Sequence, residues 1–257
     1  MRASARSGIS PFYVMEVMKS AAERAERLGD VLHLEVGQPS TPAPRLALEA
    51  AAAALESDRL GYTDATGLPS LRRRIAGLYA DRYGLEIDPG RVVVTVGASG
   101  GFTLAVLACF DVGDRVATTE PGYAAYRNIL EAFGVEVVPI PVGSDSGFNL
   151  SIEQLEAAGA LAGVVVASPS NPTGTVISDA EMRRLASFCS TAGLRLISDE
   201  IYHGITFGAT EVCALDYDNE AVVVQSFSKY QSMTGWRVGW MVVPDDLVDP
   251  VERLAQN

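Results

Sequence analysis

The sequence predicts an α/β fold, a mainly parallel sheet of seven-stranded type lying between helices. Three observations carry this. From Arg91 onward, short apolar runs alternate with amphipathic stretches. The runs are continuous, as in Val92-Val93-Val94, Val164-Val165-Val166 and Val222-Val223-Val224, which is how strands covered on both faces read. Most connections are long enough to hold the crossover helix that parallel neighbours require. The last one, between Lys229 and Arg237, is too short for that, so the final strand should run antiparallel to its predecessor.

Element by element, Pro11 opens an amphipathic helix with Val14, Val17, Met18, Ala21, Ala25 and Leu28 on one face, and Gly29-Asp30 stops it. Residues 31–35 read as a short strand that includes His33. Val36-Gly37-Gln38-Pro39-Ser40 is turn chemistry. Helices are expected over 44–57, around the alanine run 50–54, and over 68–83, where Arg72-Arg73-Arg74 reads as a solvated basic face. Strands follow at 91–96, 115–119, 135–140, 163–167, 194–198, 221–225 and 237–243. Helices fall between them at 99–110, 122–133, 151–158 and 178–192. Ser178 with Glu181 three residues on is a capping box for the last of these. Pro244-Asp245-Asp246 begins one more amphipathic pattern.

The 257 residues are 48% hydrophobic and 20% charged, with a formal net charge of -12. That balance argues against non-specific binding to nucleic acid or to an anionic membrane surface, while leaving room for a local basic pocket. Cys109, Cys189 and Cys213 match no metal-ligand spacing and read as reduced thiols of a cytoplasmic protein. With His33 and His203 the only histidines, no metal site is expected. No signal-peptide pattern is seen at the N-terminus, and no apolar run is long enough to span a bilayer.

In open α/β sheets ligands bind beyond the carboxyl ends of the strands, and four of those ends carry matching chemistry. One strand runs into Gly97-Ala98-Ser99-Gly100-Gly101 and a helix, where free backbone N–H groups can receive an anion. Another ends in Ser168-Pro169-Ser170-Asn171-Pro172-Thr173-Gly174, which offers Asn171 as a hydrogen-bonding group. A third ends in Ser198-Asp199-Glu200-Ile201-Tyr202: a carboxylate there wants a cation, such as a protonated pyridine nitrogen, and Tyr202 can hydrogen-bond a ring oxygen. Glu200 reads as solvated or ion-paired. The fourth ends in Ser226-Phe227-Ser228-Lys229, with Arg237 eight residues beyond Lys229. Lysine, hydroxyls and arginine together fit a phosphate-bearing aldehyde, which points to pyridoxal phosphate. Pro121-Gly122-Tyr123 adds an aromatic at the same edge, able to stack on a pyridine ring.

From about Pro11 to the end, the chain resembles the class I/II pyridoxal phosphate-dependent aminotransferases of fold type I, in the branch of bacterial aspartate aminotransferases. The motifs are Ser-Asn-Pro-Thr-Gly, Ser-Asp-Glu-Ile-Tyr, and Ser-Phe-Ser-Lys followed by Gly-Trp-Arg-Val-Gly. The resemblance implies that Lys229 bonds to the cofactor aldehyde and later moves the proton. It implies that Asp199 pairs with the ring nitrogen and that Asn171 and Tyr202 bond the ring oxygen. Ser226, Arg237 and the amides of Ala98 and Ser99 would hold the phosphate, and Tyr123 would stack on the ring. Gly37, Tyr123 and Asn171 would border the substrate. Tyr62 matches a tyrosine that reaches the phosphate of the partner subunit, so a homodimer is expected.

The resemblance also divides the chain. Residues 1–36 correspond to an N-terminal arm and part of a small domain, and 37–257 to the cofactor-binding large domain. Family members are longer, with a C-terminal segment that completes the small domain and carries the arginine for the substrate α-carboxylate. That segment is not in this sequence. The implied activity is amino-group transfer between an L-amino acid and a 2-oxo acid. A C–S β-elimination lyase on the same scaffold, or a truncated inactive remnant that only binds the cofactor, are the alternatives.

Overall fold

The computed structural model describes residues 2–257. The seven expected strands form one sheet. They are β1 (Val92–Thr95), β2 (Arg115–Glu120), β3 (Glu136–Pro141), β4 (Gly163–Ala167), β5 (Arg195–Asp199), β6 (Val222–Ser226) and β7 (Gly239–Val242), in the order β1-β7-β6-β5-β4-β2-β3. Strands β3, β2, β4, β5 and β6 are mutually parallel. Strand β7 is antiparallel to β6, as the short connection requires, and also to β1. Every strand but β7 therefore points the same way, and their carboxyl ends share one edge.

The helices are α1 (Tyr13–Leu28), α2 (Arg45–Ser57), α3 (Pro69–Tyr83), α4 (Gly97–Cys109), α5 (Ala124–Ala132), α6 (Ile152–Ala157), α7 (Asp179–Ala192) and α8 (Asp245–Ala255). Alternation along each strand separates two cores. Val92, Val164, Leu196, Val223 and Val242 pack with Tyr79 of α3, Leu155 of α6 and Met182 of α7. Val93, Val165, Ile197, Val224 and Met241 face the other way, onto Phe102 of α4, Leu130 of α5 and Val251 of α8. The Ser178–Glu181 capping box forms at the start of α7: Ser178 Oγ accepts from Glu181 N at 3.3 Å, and Ser178 N donates to Glu181 Oε2 at 2.8 Å. Among the described residues, no helix is long and apolar enough to cross a membrane.

Four expectations need correction. Residues 31–35 form no strand, because no neighbouring strand pairs with them; Leu32 and Leu34 are 86% and 91% exposed. The final strand starts at Gly239, since Arg237 sits in the left-handed region (φ 54°, ψ 46°), outside any ladder. The basic run is not all solvated. The Arg72 guanidinium is held by the carbonyls of Pro89, Gly90 and Val92 and by Thr66 Oγ1, and it ties α3 to the turn before β1. Glu200 is fully buried, not solvated. Its Oε1 accepts from Ala214 N at 2.8 Å and Ser198 Oγ at 3.1 Å, and its Oε2 lies 3.6 Å from His203 Nδ1.

Candidate active site

The carboxyl ends of β1, β5 and β6 open onto one cavity of about 590 Å³. Its wall includes Gly37, Ala98, Ser99, Tyr123, Asp199, Ser226, Lys229 and Arg237, all singled out from sequence. Asn171 and Tyr202 are not among its wall residues but come together beside Lys229: Asn171 Nδ2 is 3.4 Å from the Tyr202 hydroxyl, and Lys229 Nζ lies 5.7 Å from the centre of the Tyr202 ring. Tyr62 stands apart. It is fully exposed and borders a separate cavity of about 640 Å³ with Arg72 and the end of α8. His33 is on the surface, paired with Glu35 at 2.8 Å.

One end of the cavity is built for an anion. Helix α4 starts directly after β1, two residues earlier than its sequence pattern indicates, so the amides of Ala98 and Ser99 lie in its first turn and are free of intrahelical partners. The Arg237 guanidinium lies against this turn, donating to Thr234 O at 3.0 Å and Val96 O at 3.5 Å. Gly97 makes the approach feasible. Its φ is +68°, and a Cβ there would fall 2.3 Å from Arg237 Nη2. Gly239 does the same from β7, where a Cβ would fall 2.7 Å from the carbonyl carbon of Gly97. Ser226 Oγ accepts from Ser228 N at 3.2 Å, and both serines line the cavity.

The other end holds Asp199, the last residue of β5, which is 4% exposed. Its Oδ1 accepts from Ile201 N at 3.2 Å, and its Oδ2 accepts from the Tyr126 hydroxyl. Burial pushes its carboxyl up to about 7, against the lowering effect of those two bonds. Among the described residues no cation forms an ion pair with it. A buried carboxylate in that state calls for a cationic partner from a ligand.

Between the two ends lies Lys229. Its Nζ donates to Gly37 O at 2.8 Å, and burial lowers its pKa from the usual lysine value, which favours the neutral, nucleophilic amine. Tyr123 is packed at right angles to Phe12 (5.5 Å) and close to that against Tyr126 (5.3 Å), so its ring is fixed at the cavity wall. The donor set suits a ligand with an anionic group at one end, a protonatable ring nitrogen at the other and an electrophilic carbon between. Pyridoxal phosphate has that layout.

Sequence reading does not single out Tyr126 or Phe12. Tyr126 lies one helical turn after Tyr123, a spacing that reads equally as core packing. Phe12 stands in no motif and gives no signal.

Residues 29–257 match the family model described as aminotransferase class I and II. The chain is 52% identical over 259 residues to a valine–pyruvate aminotransferase of Mycobacterium tuberculosis, covering 100% of this chain and 67% of that protein. It is 35% identical over 240 residues to an arginine–pyruvate transaminase of Pseudomonas aeruginosa, covering 91% of this chain and 61% of that one. Among solved structures, an aspartate aminotransferase from Thermus thermophilus with maleate superposes with a TM-score of 0.95 at 28% identity, covering 100% of this chain and 68% of that one. The chain thus spans about two thirds of the length of the relatives it matches.

Proposed function

The chain belongs to the class I and II aminotransferases, a pyridoxal phosphate-dependent family, and from that membership we propose that it provides the cofactor-binding part of an enzyme moving an amino group between an L-amino acid and a 2-oxo acid. One observation carries the reading. A buried carboxylate that forms no ion pair among the described residues, Asp199, faces the same cavity as Lys229, while Arg237 and the start of α4 form an anion cup at the other end.

In this proposal Arg237, Ser226 and the amides of Ala98 and Ser99 hold the phosphate. Asp199 keeps a proton on the ring nitrogen. Asn171 and Tyr202 donate to the ring oxygen, which their 3.4 Å pairing favours. Tyr123 packs against the ring. When bound, pyridoxal phosphate supplies the electron sink for the pair released at the substrate α-carbon. Lys229 would do the proton work: its Nζ would take the substrate α-proton and deliver it to the cofactor's aldehyde-derived carbon across the nitrogen, a role suited to an amine whose pKa burial lowers. Gly37, whose carbonyl already meets Nζ, borders the substrate together with Tyr123 and Asn171.

The relative named for valine and pyruvate is 52% identical, and we extend that substrate pair to this chain. The cavity supports it: Phe12, Met15, Met18, Val36 and Ile201 give its wall an apolar sector, where an aliphatic side chain can lie. We further propose an N-terminal arm and part of a small domain over 1–36, a cofactor-binding large domain over 37–257, and a homodimer in which the exposed Tyr62 reaches the partner's phosphate site. Free Cys109, Cys189 and Cys213 accord with a cytoplasmic setting.

The test is to load the whole enzyme to which this chain contributes the cofactor-binding part with pyridoxal phosphate and supply L-valine and pyruvate. Formation of alanine and the branched 2-oxo acid is expected. Ammonia and pyruvate released from a cysteine conjugate, with no amino transfer, would replace this reading with an elimination.

A further inference from the structure

Asp199 is reached by a residue that no motif marks. We propose that Tyr126 is a positioning residue, whose hydroxyl favours the ionised form of the Asp199 carboxyl and turns it toward the ring-nitrogen position. The proposal rests on the cofactor reading above.

The geometry argues for a role beyond packing. Tyr126 is buried on α5, with its ring between Phe102 at 4.9 Å and Tyr123 at 5.3 Å. Phenylalanine would serve that packing equally, without the cost of burying a hydroxyl. The hydroxyl's hydrogen bond goes to Asp199 Oδ2. Burial, with Asp199 next, raises the Tyr126 pKa well above the usual tyrosine value, so the group stays a donor throughout the working range.

The other groups around Asp199 divide in sign. Glu200, next in the chain, raises its pKa, whereas Lys229 at the end of β6 lowers it. Tyr123 and Tyr202 feel the Asp199 charge and are kept protonated mainly by burial. Arg237 lines the same cavity. Among the described residues Tyr126 is the one side chain that hydrogen-bonds the carboxylate. Lys229, the nearby cation that lowers the Asp199 pKa, is committed by the cofactor reading to covalent work. Once its charge is spent there, the Tyr126 bond and the Ile201 amide are what still favour the ionised carboxylate with which the ring nitrogen pairs.

The experiment compares the purified chain with Tyr126→Phe and Asp199→Asn. Each is titrated with pyridoxal phosphate from about pH 6 to about pH 9, a range bracketing a carboxylate displaced to about 7. Visible absorption reports binding, and a thermal melt of the cofactor-free protein reports folding. Tyr126→Phe should melt as a folded protein. At pH 6 its Kd should rise about tenfold, the scale of a hydrogen bond to a charged group, and the gap should close as pH rises. Its acid limb should move up by about one unit. An unchanged Kd and profile would overturn the proposal, and so would a loss uniform in pH, which marks packing alone. If the unaltered chain binds no pyridoxal phosphate, or Asp199→Asn binds it normally, the cofactor reading fails and takes the proposal with it. Weak binding by Asp199→Asn beside normal binding by Tyr126→Phe sinks the proposal only.

Discussion

Asp199→Asn separates what the site costs the fold from what it does for the cofactor. The Asp199 carboxyl has an ordinary value of 3.8 and is pushed up to about 7 by burial. Its folded-state pKa lies above its unfolded value, so between the two the folded protein binds the extra proton. Stability contributed by the protonated form is full below the unfolded value. It is lost as pH rises through the folded one. The difference of about three units corresponds to roughly 4 kcal/mol at complete ionisation. Asparagine is nearly isosteric and neutral, and its amide oxygen can still accept one of the bonds now made by Tyr126 and Ile201. Cofactor-free Asp199→Asn should therefore be more stable than the unaltered chain at pH 8, by up to about 4 kcal/mol, and should match it near pH 4. Urea unfolding at intervals across this range, without cofactor, measures the difference directly. Parallel stability curves for the two proteins would refute the reasoning, because they would mean that Asp199 titrates alike in both states. The same substitution should weaken pyridoxal phosphate binding, so the variant is stabler and less functional.

Other outcomes follow from the same geometry. Gly97→Ala puts a Cβ against the Arg237 guanidinium at a backbone angle reserved for glycine; it should cost about 1–3 kcal/mol in chemical denaturation. It should also weaken binding of pyridoxal phosphate far more than that of dephosphorylated pyridoxal, as measured by titration. Glu200→Ala strips the buried amide of Ala214 and the Ser198 hydroxyl of their acceptor, an expected loss of about 1–3 kcal/mol, whereas Glu200→Gln, which keeps an acceptor oxygen, should lose less in the same urea assay. Arg237→Ala should raise the cofactor Kd at least tenfold, on the scale of charge-assisted bonds to phosphate, and added inorganic phosphate should compete less well for the variant's site than for the unaltered one.

Much of the fold is legible in the sequence because buried parallel strands leave a plain trace. The Val92–Val94, Val164–Val166 and Val222–Val224 runs can be little else, and the turn lengths settle which strand reverses. Residues 31–35 show the limit of that reasoning: they alternate like a strand, yet a strand exists only where a neighbour completes its ladder. The site is legible where each strand end shows chemistry out of keeping with a loop, as at Asp199, Asn171 and Lys229. It is not legible where a residue works through another. Tyr126 looks like a core aromatic until its hydroxyl is seen on Asp199. Glu200 reads as solvated or ion-paired, and alternation past Asp199 excludes the first by turning it to the opposite, buried side of the sheet. Arg72 looks solvated until the carbonyls of the β1 approach are seen to surround it.

Lys229 can be tested most directly by covalent trapping. The chain's only other lysine is Lys19, on α1. After incubation with pyridoxal phosphate and reduction with borohydride, peptide mass analysis should find one phosphopyridoxyl group, on the peptide containing Lys229, and Lys229→Ala should carry none. A chain that remains unlabelled, or whose label falls on Lys19, would contradict the account.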